Sequence, residues 1–310
     1  MKWSKNPGAA TRSTNSPVLS ARDLLMIRPE TEIETRTAEP VDAARLRKSE
    51  TITLSILLPV RNEGINLRIM VKLLKAMVEV PHELLIVYDF PDDDSIAVTR
   101  AMQKHWANLR LVHNQRGSGV VNAIQAGVDA AVGDYVLLFA ADEVGPLLAI
   151  EDMLALMQEG CDLVSCSRYA HGGRRLGGSW IGGLLSRFAN RLFHRLAGCV
   201  LSDATTGIKI FRRSLFPTLR LEAKPIGWAV TFEMAMKAQF ANWKLGEVPI
   251  ISIDRLYGGK STFRLGSWTG EYLRWFIWGC RHLRRVPQSE RPKVRIRATS
   301  LPFPSMSKDE

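Results

Sequence analysis

Residues 1–50 mix Thr, Ser, Pro and both signs of charge with no helical or strand period, and a regular pattern begins only at Thr53. Residues 53–60 (TLSILLPV) form a short apolar run without clean alternation, the pattern of a strand covered on both faces. Residues 67–78 place apolar side chains at helical spacing with lysines opposite, which predicts an amphipathic helix. The same reading gives strands over 84–88, 109–112, 135–139 and 162–166, and helices over 119–131, 146–157 and 231–240. Strands alternating with helices predict an α/β fold on a mainly parallel sheet. Such sheets bind ligands in the crevice beyond the carboxyl ends of their strands.

At those strand ends stand Arg61, Asn62 and Glu63, then Asp89 with Asp92, Asp93 and Asp94, then Arg116, Gly117, Ser118 and Gly119, then Asp142 and Glu143. Carboxylates facing an anionic nucleotide have two uses: they hold a bridging divalent cation, or they accept hydrogen bonds from base and ribose. Asp89 follows its strand directly and is assigned a ligand role. Asp92, Asp93 and Asp94, between Pro91 and Ser95, have turn chemistry and read as a solvated turn. The RGSG turn either contacts phosphate or serves only the geometry of the helix start.

The 310 residues, 46% of them hydrophobic, can bury a full core, and one large domain with polar tails fits the pattern. Four cysteines with no CxxC pair argue against a zinc site or a disulfide framework and favour a reducing cytoplasm. The net charge of +11 is concentrated in two segments. Residues 168–195 hold six arginines and no acid, and residues 281–310 hold eight basic residues against three acidic ones. A localised basic surface implies an anionic partner. No recognition motif accompanies the charge, so nucleic acid is not expected.

The segments SILLPVRNE, LLIVYDFPDDDS, NAIQAGVDAAVGDYVLLF, AADEVGP, DATTGIKIFRR, GWAVTFEMAMKA and EVPIISIDRLYGGKS follow one another between Ser55 and Ser261. In that order they resemble the inverting glycosyltransferases of family 2, in particular their dolichyl-phosphate mannosyltransferase-like branch. The resemblance implies a GT-A (Rossmann-like) domain over 51–262. Around it are expected a disordered extension over 1–50, an aromatic-rich packing or interfacial helix over 263–283, and a basic disordered tail over 284–310.

By the same resemblance Pro59, Glu63 and Asp89 line the nucleoside pocket, with Arg61 and Gly117 beside them in the donor-binding set. Asp142 matches the last aspartate of the family's Asp-x-Asp motif, whose first position is here Ala140. Glu143 therefore joins Asp142 in the expected ligand set for Mg²⁺ or Mn²⁺. Asp203 matches an acceptor-side carboxylate, while Lys209, Arg255, Lys260 and Ser261 fall at acceptor or phosphate positions. Glu233 reads as structural.

The implied reaction moves a sugar from a GDP- or UDP-linked donor to a polyprenyl phosphate. Asp203 would orient a phosphate acceptor, or act as base toward a hydroxyl. A family 2 enzyme with a non-lipid hydroxyl acceptor, or a non-catalytic nucleotide-sugar-binding homologue, stands as the alternative.

Residues 180–196 repeat apolar positions at helical spacing, interrupted by Arg187, Arg191 and Arg195, and 268–280 are dense in aromatics. Both either pack on the sheet or lie against an anionic membrane surface. No run of about eighteen apolar residues occurs, so attachment is expected to be peripheral, on a cytoplasmic face.

Overall fold

β1 (Leu54–Val60) is buried almost throughout, as its unbroken apolar run requires of a central strand. The computed structural model describes residues 52–176, 180–253 and 265–298. All of them lie in the compact unit Glu50–Glu310.

From β1 the chain runs through α1 (Gly64–Met77), β2 (His82–Tyr88), α2 (Asp94–Gln103), β3 (Leu109–His113), α3 (Val120–Ala130) and β4 (Tyr135–Leu138). A 3-10 turn at Gly145–Ala149 leads into α4 (Ile150–Gln158), with Pro146 where a first turn tolerates it. Then come β5 (Leu163–Ser167), β6 (Arg174–Leu176), α5 (Trp180–Leu192), β7 (Lys209–Arg212), α6 (Ala229–Phe240), β8 (Leu245–Pro249), β9 (Ile251–Ile253), α7 (Leu265–His282) and β10 (Arg295–Ile296).

Eight strands form one sheet in the order β10-β8-β5-β7-β4-β1-β2-β3, parallel except for β7, which runs against both β4 and β5. β6 and β9 make a separate parallel pair. Side chains alternate across β1: Leu54, Ile56 and Leu58 join Leu67, Met70 and Leu74 of α1 in one core. Leu57 joins Ile124 of α3, Phe232 of α6 and Trp275 of α7 in the other. The expected α/β fold, mostly parallel and flanked by helices, is the one observed.

Two expectations change. The stretch after the second strand holds a helix, α2, where only an acidic turn was read. Asp93 caps it, accepting from Ser95 N at 2.9 Å. The basic tail from residue 284 is not featureless through residue 298. β10 pairs with Gly246 and Glu247 of β8, and Arg297 bonds Asp152 and Glu159, each at 2.9 Å. Spaced charges in a polar run gave no period to read, yet they match acids on α4 and at its end. Among the described residues no helix is long and apolar enough to cross a membrane.

Candidate active site

The sheet order places a switch point between β1 and β4, because successive strands leave β1 in opposite directions. β1 pairs with β2 through Val60, but with β4 only through Leu57. Pro59 therefore sits where pairing to β4 has ended, and a crevice opens there at the carboxyl ends.

Arg61, Asn62 and Glu63 lie on one side of this crevice. Three side chains at the start of α2 collect three successive N–H groups of that turn: Asp93 takes Asn62 N at 3.1 Å, Ser95 takes Glu63 N at 3.0 Å and Asp94 takes Gly64 N at 3.0 Å. Asn62 can then hold its left-handed φ of 56°. Asp93 and Asp94 thus brace the loop after β1 rather than merely meeting solvent. Arg61 stacks over Phe90 at 5.4 Å, and Glu63 accepts from Asn66 at 2.7 Å.

Asp89 leaves the end of β2 and accepts from Asn114 Nδ2 at 2.7 Å, Gly119 N at 2.9 Å and Ser118 Oγ at 3.3 Å. Gly117 and Gly119 hold φ of 94° and 125°, a conformation that favours glycine, and Asn114 and Asn122 donate to Gly117 O. The carboxylate and the glycine turn ahead of α3 form one unit at the crevice. A cavity of about 670 Å³ lies elsewhere, on the flank between α1 and α2 with Arg68, Lys72 and Trp106 in its wall. Its helical position, away from the strand ends, sets it apart from this site.

Asp142 and Glu143 follow β4 on the other side of the switch point, both half-buried. Among the described residues no group of three His, Cys, Asp or Glu side chains is placed to hold a metal ion. Two carboxylates still fit an ion whose remaining ligands are diphosphate oxygens and water, the ordinary way of binding Mg²⁺.

Because β7 is antiparallel, its first residue, Lys209, lies at this same edge, opposite Leu138 of β4 and Ser165 of β5. Asp203 is fully buried there. Its oxygens accept from Arg168 Nε at 2.7 Å, Arg168 Nη2 at 3.0 Å, Arg168 N at 3.1 Å, Thr205 Oγ1 at 3.1 Å and Asn190 Nδ2 at 3.2 Å. Burial opposes its charge, but the Arg168 cation and hydrogen bonds outweigh that and hold the carboxyl below its usual range. With its oxygens taken up by these five donors, Asp203 fixes Arg168, whose side chain remains 17% exposed.

Lys209 turns its amine to protein oxygens. It is fully buried and donates to Thr206 O at 2.6 Å, Ser165 Oγ at 3.1 Å and Ala204 O at 3.3 Å. Burial pulls its pKa down to about 8 against the opposing pull of Asp203. Arg255, Lys260 and Ser261 lie outside the described residues.

Sequence reasoning passed over Arg168 and Glu247. Arg168 directly follows β5, so the strand-end rule that found Asp89 would have found it. Glu247 of β8 takes Ser202 N at 2.8 Å, Ser202 Oγ at 3.1 Å and Asp203 N at 3.3 Å, and lies 3.8 Å from His171. Burial pushes its carboxyl up to about 7. Arg168 and Arg187 of α5 both stack on Tyr169, at 5.1 and 5.4 Å, which extends the cationic edge toward α5.

The chain is 26% identical over 209 residues to the undecaprenyl-phosphate 4-deoxy-4-formamido-L-arabinose transferase of Enterobacter sp. (strain 638), covering 66% of this chain and 61% of that protein. The Sodalis glossinidius protein of the same name is 28% identical with the same coverage. This chain thus spans about three fifths of the length of those relatives. Glucosyl-3-phosphoglycerate synthase from Mycobacterium tuberculosis, solved with Mn²⁺, UDP-glucose and phosphoglyceric acid, superposes with a TM-score of 0.56 at 20% identity, covering 77% of this chain and 81% of that one. Its likeness is one of fold, the GT-A arrangement of sheet and flanking helices. The description "Glycosyl transferase family 2" matches residues 55–220, from β1 to the turn after β7, and on that match over more than half its length the chain belongs to glycosyl transferase family 2.

Proposed function

We propose that the chain is an inverting glycosyltransferase that moves a sugar from a nucleotide sugar to the phosphate of a polyprenyl phosphate at a membrane surface. The observation that carries this reading is Arg168, a guanidinium fixed by a saturated, buried carboxylate on the same sheet edge as Asp89 and Asp142. A fixed cation there suits an anionic acceptor, and the edge offers no base in Asp203. A phosphate acceptor needs none: its second pKa is about 6, so its oxygen is already ionised at neutral pH.

In the proposed step a lone pair of that oxygen forms the bond to the anomeric carbon from the side opposite the leaving group. The bond to the diphosphate breaks, and the nucleoside diphosphate leaves with the electron pair. Asp89, Glu63 and Pro59 bind the nucleoside, with Arg61 and the Gly117 turn beside it. Asp142 and Glu143 would hold a Mg²⁺ or Mn²⁺ ion that offsets diphosphate charge. Arg255, Lys260 and Ser261 are assigned by motif to the same phosphates. Either UDP or GDP suits the chemistry, and the UDP held by the Mycobacterium neighbour supports uridine.

The surface supports peripheral attachment. α5 exposes Leu184 and Phe188 one turn apart, beside Arg187 and Arg191, and α7 exposes Leu273 and Ile277. Trp275, by contrast, is core, so α7 packs on the sheet with one side and offers only the other. The described cysteines are all free, which supports a reducing compartment such as the cytoplasm.

The test is to offer UDP- and GDP-sugars with Mn²⁺ and undecaprenyl phosphate. The proposal expects a lipid-phosphate sugar of inverted anomeric configuration. Transfer only to phosphate-free hydroxyl acceptors, or to none, overturns it.

A further inference from the structure

The segment from Glu222 to Trp228 lies between the two halves of the site, and neither the strand-end rule nor the reaction assigns it a part. Three footings fix it. On the donor side Pro225 rests on Gly119: a Cβ at Gly119 would come within 2.5 Å of Pro225 Cβ and 2.6 Å of Pro225 O. On the acceptor side the ring of Trp228 lies over Gly207, where a Cβ would stand 3.3 Å from it. From behind, two carboxylates hold the backbone. Glu233 of α6 accepts from Glu222 N at 2.6 Å and Ala223 N at 2.8 Å. Glu271 of α7 accepts from Lys224 N at 3.1 Å.

These carboxylates are unusual for their burial. Glu233 is fully buried and Glu271 is 5% exposed. Burying a carboxylate is unfavourable unless it is paired, and Lys237 answers Glu233 at 2.8 Å while Arg274 answers Glu271 at 3.0 Å. Both spend acceptor capacity on three consecutive backbone N–H groups. Together with Ala223 and Trp228, which join the core, they keep a loop with exposed Lys224 and Pro225 in one place.

The turn it touches is the one Asp89 holds. Gly119 N donates to Asp89, and Gly119 is also the residue against which Pro225 sits. We propose that Pro225 and Glu271 are positioning residues for donor binding: Glu271 on α7 sets the loop, and Pro225 holds the Gly119 turn against Asp89. The inference rests on the reading of Asp89 and its glycine turn as the nucleotide site. It makes α7, which lies beyond the matched family segment, a part of the donor site.

The experiment measures Kd for UDP and GDP, each with Mn²⁺, by calorimetry on the full chain and its variants. Residues that act on a ligand through a neighbour shift affinity by about 0.5–2 kcal/mol, or about 2- to 30-fold. Pro225→Gly, which removes the ring and the Cβ that meets Gly119, and Glu271→Ala are expected to weaken the tighter nucleotide by about 3- to 10-fold. Glu271→Gln, which keeps an oxygen for Lys224 N, is expected to stay within about twofold of the unaltered protein. Pro225 is exposed, so Pro225→Gly tests the proposal even if Glu271→Ala fails to fold. Asp89→Asn separates the two claims. If it binds as tightly as the unaltered protein, or if no nucleotide binds, the donor-site reading fails and this inference with it. If Asp89→Asn loses binding while Pro225→Gly keeps it, the donor site stands and the positioning role is overturned.

Discussion

Arg168 meets Asp203 at two points, Nε to Oδ2 at 2.7 Å and Nη2 to Oδ1 at 3.0 Å, and a third bond from its own backbone N closes the grip at 3.1 Å. The contact is one of support, with the carboxylate fully buried and the arginine side chain 17% exposed. Removing one partner of a buried pair leaves the other charge uncompensated, at a penalty of about 3–5 kcal/mol. Asp203→Ala is therefore expected to lose stability on that scale in urea unfolding, along with turnover. Normal stability with lost turnover, and a titrating base restored by added carboxylic acid, would return Asp203 to the chemistry.

Lys209 separates the family pattern from the physics. Its three contacts are to protein oxygens, two of them backbone carbonyls, in a fully buried place. Lys209→Ala should lower stability by about 2 kcal/mol or more, since it opens a cavity and strips donors from buried acceptors. Nucleotide affinity in the folded variant should stay within about twofold. A selective loss of affinity at unchanged stability would place the amine on phosphate after all.

Glu247 predicts a pH dependence. Burial raises its pKa from 4.5 in the unfolded chain to about 7 in the folded one. A group raised in this way contributes stability that is fully present below its unfolded value and is lost as pH rises through about 7. The loss is on the order of 3 kcal/mol. Glu247→Gln keeps an oxygen for Ser202 N and Asp203 N but cannot ionise. Its advantage over the unaltered protein should therefore grow between about pH 5 and about pH 8. Urea unfolding at the two pH values checks this, and equal slopes for both proteins would contradict it.

Much of this was legible in the chain. The unbroken apolar run of β1 and the helical spacing of α1 and α3 led to a parallel sheet, and the sheet led to its carboxyl ends, where Asp89 and Asp142 stand. What stayed hidden depends on contacts distant in sequence. Asp203 and Lys209 carry charges that read as functional, and their burial beside Arg168, Ser165 and Thr206 could not be read from the chain. Asp93 and Asp94 read as a turn because their bonds go to Asn62 and Gly64, thirty residues or more earlier. β10 has two residues, too short for any period to announce it.

The exposed pair on α5 tests the membrane reading. Leu184 is 55% and Phe188 61% exposed. Burying such side chains in lipid is worth about 1.5–3 kcal/mol each. Leu184→Ser with Phe188→Ser should reduce flotation with anionic vesicles by about tenfold or more, leaving stability nearly unchanged. Undiminished flotation of this double variant would move the contact to another face.

The most direct test of the central claim is the rate of nucleoside diphosphate release from a nucleotide sugar, with and without undecaprenyl phosphate, for the unaltered chain, Asp89→Asn and Arg168→Met. The account predicts release that needs the acceptor, falls with Asp89→Asn through a raised donor KM, and falls with Arg168→Met through a raised acceptor KM. Release indifferent to the acceptor, or unaltered in both variants, would contradict it.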